Sequence, residues 1–432
     1  MNNVQAQLKK TKTASAELAL LSHEARKAIL LDIAKNLTAS SQEIFSANAK
    51  DISAFKGDEA MRQRLEMREP RLAGCIRGME DVAKLPDPLG KVLEKRTRPN
   101  GLEIEKISVP LGVIGVIYES RPGVTIDLVA LAIKSGNAVV LKGGKESYLT
   151  NCRIVKCMQE VLKAHHVSED AVTLINPKDN WKKELLNAHG LVDLLIPRGG
   201  AGLIKFVREN ARVPIIETGA GVCHIFADES YDVQKAVGII VNAKVQSPGV
   251  CNALDCLVVH EKSASRLLPL LAEALSSHGV QVFADAPAFR ILKNKLGKSL
   301  LKEARESDFG HEFLSLKMAI KVVKDFETGL AFIRKNTSSH TEAILTENKE
   351  HAQIFLGEID AAVVMHNAST RFTDGGEFGM GAEVGISTQK LHARGPMGVE
   401  ALTSYKWIVR GSGQVRIMSQ NDKANANICI TE

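Results

Sequence analysis

The chain has 432 residues, of which 44% are hydrophobic and 25% charged, and its formal net charge is +6. That length predicts two or three globular units with sizeable cores, and the 4% aromatic content argues against a nucleic-acid surface built on stacking. No apolar run approaches the ~20 residues of a membrane-spanning helix, no signal peptide is evident, and seven cysteines without metal-ligand spacing favour reduced thiols in the cytoplasm and no metal site.

The first part of the chain has a helical pattern. Apolar side chains recur at helical spacing, which predicts helices over residues 14–85, and Ser40 followed by Glu43 is typical of a capping box. Residues 91–109 contain strand-like runs on either side of a Pro-Asn-Gly turn at 99–101, which predicts a β-hairpin. This hairpin has no evident partner within the chain, so we expect it to pair between subunits.

After residue 110, short strands of the buried type alternate with helical stretches. This alternation predicts parallel sheets covered by helices on both faces. Two series of strands meet near Cys251, which would place that thiol in a cleft between domains, where ligand sites are frequent. The first series is predicted at residues 112–118, 138–141, 172–175, 191–196, 213–216 and 224–227, and the second at 254–259, 319–323, 343–345 and 361–365.

Cys251 is the candidate nucleophile. It follows a Pro-Gly turn at 248–249 and precedes the apolar run 254–259. A thiol on a tight turn, met by polar and glycine-rich loops from elsewhere, suits covalent chemistry on an acyl group. The alternative is a small buried thiol, although a position between two domains favours the catalytic interpretation. Cys256 lies inside the apolar run and is expected to be part of the core.

Several other residues have two interpretations on local sequence alone. Gly199 and Gly200 lie between a predicted strand and a predicted helix, either as a phosphate-binding helix N-terminus or as a plain turn. Lys142 follows a strand, where ligands of α/β proteins collect, but is equally ambiguous. Glu217 is either a general base or a hydrogen-bond partner for the glycine-rich turn after it. Neither the GxGxxG nor the GxxxxGK[ST] fingerprint is present.

Several long segments together resemble the glutamate-5-semialdehyde dehydrogenases, or gamma-glutamyl phosphate reductases, within the aldehyde dehydrogenase superfamily. The resemblance covers most of the chain. The longest segment, residues 367–407, argues against a relative that oxidises a free aldehyde. Retention of Cys251, Glu312 and Arg371 argues against a non-catalytic binding protein. The segments include IPRGGAGLI, ETGAGVCHIFADES, NAKVQSPGVCNA, HEFLSLKMAIKVV and NASTRFTDGGEFGMGAEVGISTQKLHARGPMGVEALTSYKW.

The resemblance implies a reaction: NADPH-dependent reduction of L-glutamyl 5-phosphate to L-glutamate 5-semialdehyde and phosphate through a thioester on Cys251, the second step of proline biosynthesis from glutamate. Glu217 aligns with the base of hydrolytic relatives, but this direction needs no activated water, so its catalytic role stays open. By alignment, contacts with NADPH/NADP are expected at Lys142, Gly199, Gly200, Glu312 and Phe313, and contacts with the substrate at Ser120, Arg121, Asn367, Ser369, Thr370 and Arg371.

Three positions depart from the family pattern. Gly123 stands where asparagine is usual, Ser247 where arginine is common just before the proline of the cysteine loop, and Cys256 where threonine is common. An oxyanion or substrate contact from an amide at position 123 is therefore missing. The missing positive charge at Ser247 is expected to weaken phosphate binding or to raise the thiol pKa.

The implied fold is aldehyde-dehydrogenase-like α/β, with a Rossmann-type cofactor domain, an α/β catalytic domain and a small oligomerisation element. We assign residues 1–90 and 111–243 to the NADP-binding domain and 244–404 to the catalytic domain. Residues 91–110 and 405–432 form the oligomerisation hairpin and tail. A homo-oligomer is therefore expected, as a dimer or a tetramer. A transient contact with glutamate 5-kinase, which makes the labile acyl phosphate, and the strength of any preference for NADPH over NADH are left open.

Overall fold

The computed structural model describes residues 3–416, which form fourteen α-helices and sixteen strands. The helices are α1 Asn3–Ala19, α2 His23–Ala39, α3 Ser41–Ala54, α4 Glu59–Leu65, α5 Glu69–Lys84, α6 Pro122–Lys134, α7 Tyr148–Ala164, α8 Trp181–Leu186, α9 Ala201–Asn210, α10 Val233–Val245, α11 Glu261–Ser277, α12 Ala286–Leu292, α13 Phe326–Asn336 and α14 Lys349–Glu358. The strands are β1 Val92–Thr97, β2 Glu103–Pro110, β3 Val113–Tyr118, β4 Ala138–Lys142, β5 Val172–Leu174, β6 Leu194–Arg198, β7 Cys223–Ala227, β8 Leu254–His260, β9 Gln281–Ala284, β10 Leu301–Glu303, β11 Lys317–Val323, β12 Thr341–Leu345, β13 Val363–His366, β14 Ile386–Ser387, β15 Gly395–Pro396 and β16 Thr403–Arg410.

The N-terminal region is helical, as predicted, and its first helix begins at Asn3 rather than near residue 14. The predicted capping box is wrong. The Arg153 guanidinium of α7 donates to Ser40 Oγ (3.0 Å) and to Glu43 Oε2 (2.6 Å), and α3 begins without a side-chain cap. Both residues therefore join α3 to α7 instead of capping the backbone.

A four-stranded parallel sheet with the order β5-β4-β3-β6 forms the first α/β layer. Strands β3 and β4 are buried along their whole length, which explains their continuous apolar sequence. The predicted strand at 213–216 is not regular. Ile215 makes a single bridge to Leu195, and Pro214 has no amide hydrogen with which to continue a ladder.

A second parallel sheet has seven strands in the order β10-β9-β11-β8-β7-β12-β13. It contains all four strands predicted after Cys251, and Cys256 is buried within β8. Strand β7 is hydrogen bonded between β8 and β12. Strand β6 is therefore the last strand of the first sheet, and β7 already belongs to the second. The chain thus passes from one sheet to the other before residues 243/244, where the sequence analysis placed the domain boundary.

The predicted hairpin is confirmed, but the expectation that it has no partner within the chain is wrong: it belongs to a third, antiparallel sheet with the order β1-β2-β16. Gly101 has a φ of +85°, a conformation that favours glycine in this turn. Strand β16 pairs with β2 from Thr403 opposite Pro110 to Arg410 opposite Glu103. Residues 417–432 of the assigned tail lie outside the described residues. Within residues 3–416, no helix is both long enough and apolar enough to cross a membrane.

Candidate active site

A cavity of about 300 Å³ lies between the two parallel sheets. One wall comes from the carboxyl ends of β3 and β6, where ligands of open α/β sheets collect. The opposite wall comes from the loop before β8, which carries Cys251. Segments from α4 and from residues 371–386 complete the enclosure. Residues more than 300 positions apart in the sequence thus meet around one space.

Cys251 lies on a turn at the end of this loop, as predicted, and lines the cavity. The Cys223 thiol donates a hydrogen bond of 3.2 Å to the Cys251 carbonyl oxygen. Gly221 packs so closely behind the loop that a Cβ there would lie 1.8 Å from the same oxygen. The amide of Gly221 in turn donates to Glu312 Oε1 at 2.9 Å. The absence of a side chain at Gly221 therefore allows the cysteine loop to lie in this position.

The thiol of Cys251 is protonated at neutral pH in this arrangement. Burial raises its pKa to about 12, and the negative charges of Glu383 and Glu312 add to this effect. Arg198 acts in the opposite direction. Because only the thiolate is an effective nucleophile, attack on a substrate requires a group that takes the proton or a positive charge that arrives with the ligands.

Glu383 is the carboxyl group best suited to exchange protons in this cavity. Burial raises its pKa to about 7, while the charge of Arg198 works against the shift. The Gly375 amide donates to Glu383 Oε2 at 3.0 Å. Nearby, burial also raises the pKa of Asp127 to about 6. A carboxyl group with a pKa near neutrality in a cavity that contains a thiol is the kind of group that serves as a general base.

Six of the residues proposed from the sequence lie together in the cavity wall. The amide of Gly200, at the N-terminus of α9, donates to Glu119 Oε1 at 2.9 Å. The Glu119 carboxyl group thus accepts a hydrogen bond at the helix terminus where a phosphate was expected. The six residues are Arg121, Gly199, Gly200, Cys251, Glu312 and Arg371.

The other candidates for cofactor contacts lie around the cavity rather than in its wall. Lys142 Nζ donates to the Gly143 carbonyl at 2.7 Å and lies 4.6 Å from the centre of the Trp181 ring. Phe313 stacks on Phe283, with ring centres 5.4 Å apart. Lys142 is therefore next to an aromatic surface beyond the carboxyl end of β4, whereas Phe313 packs against the second sheet.

The remaining candidates for substrate contacts mostly support the loops. Ser120 Oγ donates to Glu146 Oε2 at 2.6 Å. Thr370 Oγ1 donates to the carbonyl of Asn252 at 2.7 Å and so joins the segment before Arg371 to the cysteine loop. The Ser369 hydroxyl accepts from the Arg371 amide at 3.3 Å, and the Asn367 side chain bonds to the backbone of Thr346.

Glu217, the possible general base, is turned towards Arg208. The Arg208 guanidinium donates to Glu217 Oε2 at 3.2 Å, and the Glu217 amide donates to the Gln389 side chain. Its neighbour Thr218, rather than Glu217 itself, lines the cavity. The carboxylate of Glu217 thus pairs with α9, and within residues 3–416 no hydrogen bond between it and the glycine-rich turn is recorded.

Sequence reasoning missed several charged residues of the cavity wall: Arg64, Glu119, Arg198 and Glu383. Both Arg198 and Glu383 lie inside segments that carry the family resemblance. Arg198 directly precedes the Gly199-Gly200 pair, and Glu383 lies in the GMGAEVGIST run. A charged residue embedded in a glycine-rich segment is the signal that could have identified both. Arg64 carries no such signal, because it lies in a helix remote in sequence from every motif.

The departure at Gly123 has a packing explanation. A Cβ at this position would lie 2.9 Å from Cys75 Sγ of α5. A side chain here would therefore point into the contact between α5 and α6, whereas the neighbouring Arg121 lines the cavity. The side-chain amide of an asparagine at position 123 would therefore point away from this cavity.

Comparisons with known proteins agree with this architecture. A sequence profile of the aldehyde dehydrogenase family matches residues 1–286. The gamma-glutamyl phosphate reductase of Legionella pneumophila strain Philadelphia 1 is 48% identical over 96% of this chain and 99% of its own length. That of Bacteroides thetaiotaomicron is 49% identical over 93% of this chain and 96% of its own. The crystal structure of the Thermotoga maritima gamma-glutamyl phosphate reductase matches with a TM-score of 0.91 and 43% identity, covering 95% of this chain and 99% of that one.

Proposed function

Because this chain belongs to the aldehyde dehydrogenase family and, within it, to the gamma-glutamyl phosphate reductases, we propose that it reduces L-glutamyl 5-phosphate with NADPH. The products are L-glutamate 5-semialdehyde and phosphate, and the reaction is the second step of proline biosynthesis from glutamate. One observation carries the proposal: a cysteine on a turn shares a cavity with several guanidinium groups. A thiol that attacks an acyl group and cations that bind a carboxylate and a phosphate are what this substrate requires. The guanidinium groups belong to Arg64, Arg121, Arg198 and Arg371.

The residues around the cavity fit a nicotinamide dinucleotide. We assign its pyrophosphate to Gly199 and Gly200, where the Glu119 carboxylate now accepts the amide hydrogen bond. The adenosine ribose is assigned to Lys142, beside the aromatic face of Trp181. The nicotinamide ribose is assigned to Glu312, which lines the cavity, and to its neighbour Phe313, whose ring stacks on Phe283. When bound, the cofactor supplies the hydride.

The chain's own residues carry the remaining steps. Glu383 takes the proton from the Cys251 thiol, and the thiolate attacks the acyl carbonyl carbon. The carbon–oxygen bond to phosphate breaks, which leaves a thioester on Cys251, and the departing phosphate carries off the proton. After hydride reduction of the thioester, the thiohemiacetal releases the aldehyde and regenerates the thiolate, which takes a proton from solvent. No water is activated, so the reaction does not require Glu217.

The reverse reaction tests this proposal. Glutamate 5-semialdehyde and NADP+ are mixed with the protein, and NADPH absorbance is followed with and without inorganic phosphate. We expect NADPH to form only with phosphate and to be lost in Cys251→Ala. Cys256→Ala is the matched control, because its thiol is buried in β8, and it should retain activity. Phosphate-independent turnover would instead mean that water resolves the thioester, as in an ordinary aldehyde dehydrogenase.

We also propose that the protein is a homo-oligomer formed through the β1-β2-β16 sheet. The side chains of Tyr405, Trp407 and Val409 alternate along β16 and are each about half exposed. Exposed apolar side chains on one face of a sheet are typical of an interface. A transient contact with the kinase that makes the acyl phosphate stays a prediction.

A further inference from the structure

Arg64 comes from α4, far from the catalytic motifs, and reaches the cysteine loop. Its Nη2 atom lies 3.8 Å from the position that a Cβ of Gly249 would occupy, two residues before Cys251. Arg64 also lines the cavity. A guanidinium group therefore stands next to the turn that presents the thiol, where Ser247 provides no positive charge.

A second guanidinium group, that of Arg121, lines the same cavity without its full set of partners. Arg121 Nε is buried and has no hydrogen-bond partner among the described residues. Burial lowers the pKa of this side chain, and the positive charge of Arg64 adds to the effect. Two cations held near each other and partly buried are unfavourable until an anion joins them.

The only carboxylate recorded in an ion pair with Arg64 within residues 3–416 is a weak partner. Glu119 Oε2 lies 3.9 Å from Arg64 Nη1, while Glu119 Oε1 accepts the hydrogen bond from the Gly200 amide. One carboxylate is thus shared between Arg64 and the N-terminus of α9. The hydrogen-bonding capacity of the two guanidinium groups is left largely free for a ligand.

We propose that Arg64 and Arg121 form the subsite for the phosphate group that leaves the substrate carbonyl on Cys251. This inference rests on the proposed function. As the bond between the acyl carbon and the phosphate oxygen breaks, negative charge grows on that oxygen, and two forked cations stabilise it. Arg371, whose Nε already donates to Gln246 Oε1 at 3.0 Å, is left to bind the substrate carboxylate.

The reverse reaction separates phosphate from the other substrates, so each KM can be measured alone. In Arg64→Gln we expect the KM for inorganic phosphate to rise at least about tenfold, the loss typical of a hydrogen bond to a charged group. The KM for glutamate 5-semialdehyde should stay within about twofold, because the phosphate subsite does not hold the aldehyde. Arg64→Lys keeps the positive charge but loses the forked guanidinium group, so its KM for phosphate should lie between those of the wild type and Arg64→Gln.

Arg62 is the matched control on the same helix. It pairs with Glu59 on the exposed surface, so Arg62→Gln removes the same charge without changing the cavity. Its KM for phosphate should equal that of the wild type. Calorimetric titration with inorganic phosphate gives a second measurement: binding should be weakened in Arg64→Gln and retained in Arg62→Gln.

Three results would overturn the inference without touching the proposed function. The first is an unchanged phosphate KM in Arg64→Gln, and the second is an equal rise of both KM values in a variant whose melting curve is normal. The third result applies if Arg64→Gln does not fold: Arg64→Lys then has the same KM for phosphate as the wild type. Loss of phosphate dependence in the wild type itself would instead overturn the proposed function.

Discussion

Glu383 and Cys251 share one cavity, and the negative charge of Glu383 adds to the effect of burial in raising the pKa of the Cys251 thiol. In Glu383→Gln we therefore expect the thiol pKa to fall. Iodoacetamide should then alkylate Cys251 faster at about pH 8, since each unit of pKa changes the thiolate fraction up to tenfold. Turnover should fall in the same variant, because the proton acceptor is gone.

The control for this experiment is Glu377→Gln, an exposed carboxylate in the same loop. Its alkylation rate should match that of the wild type. Below about pH 6, where Glu383 is protonated, the difference between Glu383→Gln and the wild type should disappear. Slower alkylation in Glu383→Gln at about pH 8 would contradict the electrostatic coupling.

Asp127 should make the protein less stable as the pH rises. Its pKa is raised by burial from 3.8 to about 6, so the folded state holds a proton that the unfolded state has already lost. The stability of the wild type therefore decreases between about pH 4 and pH 6 through this group. The melting temperature of Asp127→Asn minus that of the wild type should therefore increase from about pH 4 to about pH 7, as measured by circular dichroism. A constant difference across this range would contradict the prediction.

At the scale of elements, the contact between Gly221 and the cysteine loop should be intolerant of any side chain. The Cβ of Gly221→Ala would collide with the carbonyl of Cys251, and the clash is with backbone, which has few ways to move aside. We expect a loss of about 1–3 kcal/mol in the free energy of unfolding and a large loss of turnover. Both follow from displacement of Cys251.

Gly238 provides the matched control. It lies within α10, and a Cβ there would meet nothing within 4 Å. Gly238→Ala should therefore stabilise the protein by up to about 1 kcal/mol, the usual gain for alanine over glycine in a helix, and leave turnover unchanged. Equal stability of the two variants in chemical denaturation would show that the close packing at Gly221 does not matter.

The sequence predicted the β-hairpin from its turn, and it predicted most directly those strands whose residues are uniformly buried. Strands β3, β4 and β8 are buried on both faces, so their sequences are continuous apolar runs between turns. Strands β9 and β10 were missed, because β9 alternates between buried and half-buried residues and β10 has only one buried residue. Short edge-side strands of this kind carry too little apolar pattern to be separated from loops.

The candidate site was predictable only where chemistry and local pattern coincide. Cys251 could be identified from its turn and the strand that follows. Arg64 could not, because its position at the cysteine loop depends on how α4 packs against the rest of the fold. For Ser369 and Thr370, alignment predicted substrate contacts, whereas their side chains hold the loop that carries Arg371. Tertiary packing decides between these two roles.

At the scale of the whole molecule, the β1-β2-β16 sheet should determine the oligomeric state. Lys106 lies 3.7 Å from the centre of the Tyr405 ring and 5.7 Å from that of Trp407. In Trp407→Glu we expect a smaller particle, because the substitution removes an exposed apolar side chain and adds a carboxylate, which opposes burial in an interface. Sedimentation velocity measures the change, and circular dichroism checks that the fold is retained.

The control for this variant is Leu20→Glu, which alters an apolar side chain that is 88% exposed at the end of α1. This substitution should leave the sedimentation coefficient of the wild type unchanged. If both variants sediment like the wild type, the β1-β2-β16 face is not the interface.

The pairing of β2 with β16 also has a consequence for biosynthesis. Strand β2 leaves the ribosome with only β1 beside it, and its second edge is completed by a strand made much later. The interval is roughly 300 residues, or about 15–60 s at ordinary translation rates. During that time a nascent chain exposes an open strand edge, the kind of surface that joins wrongly to other chains. Growing polypeptides on one messenger would therefore need a chaperone, or a wide spacing of ribosomes, to keep these edges apart.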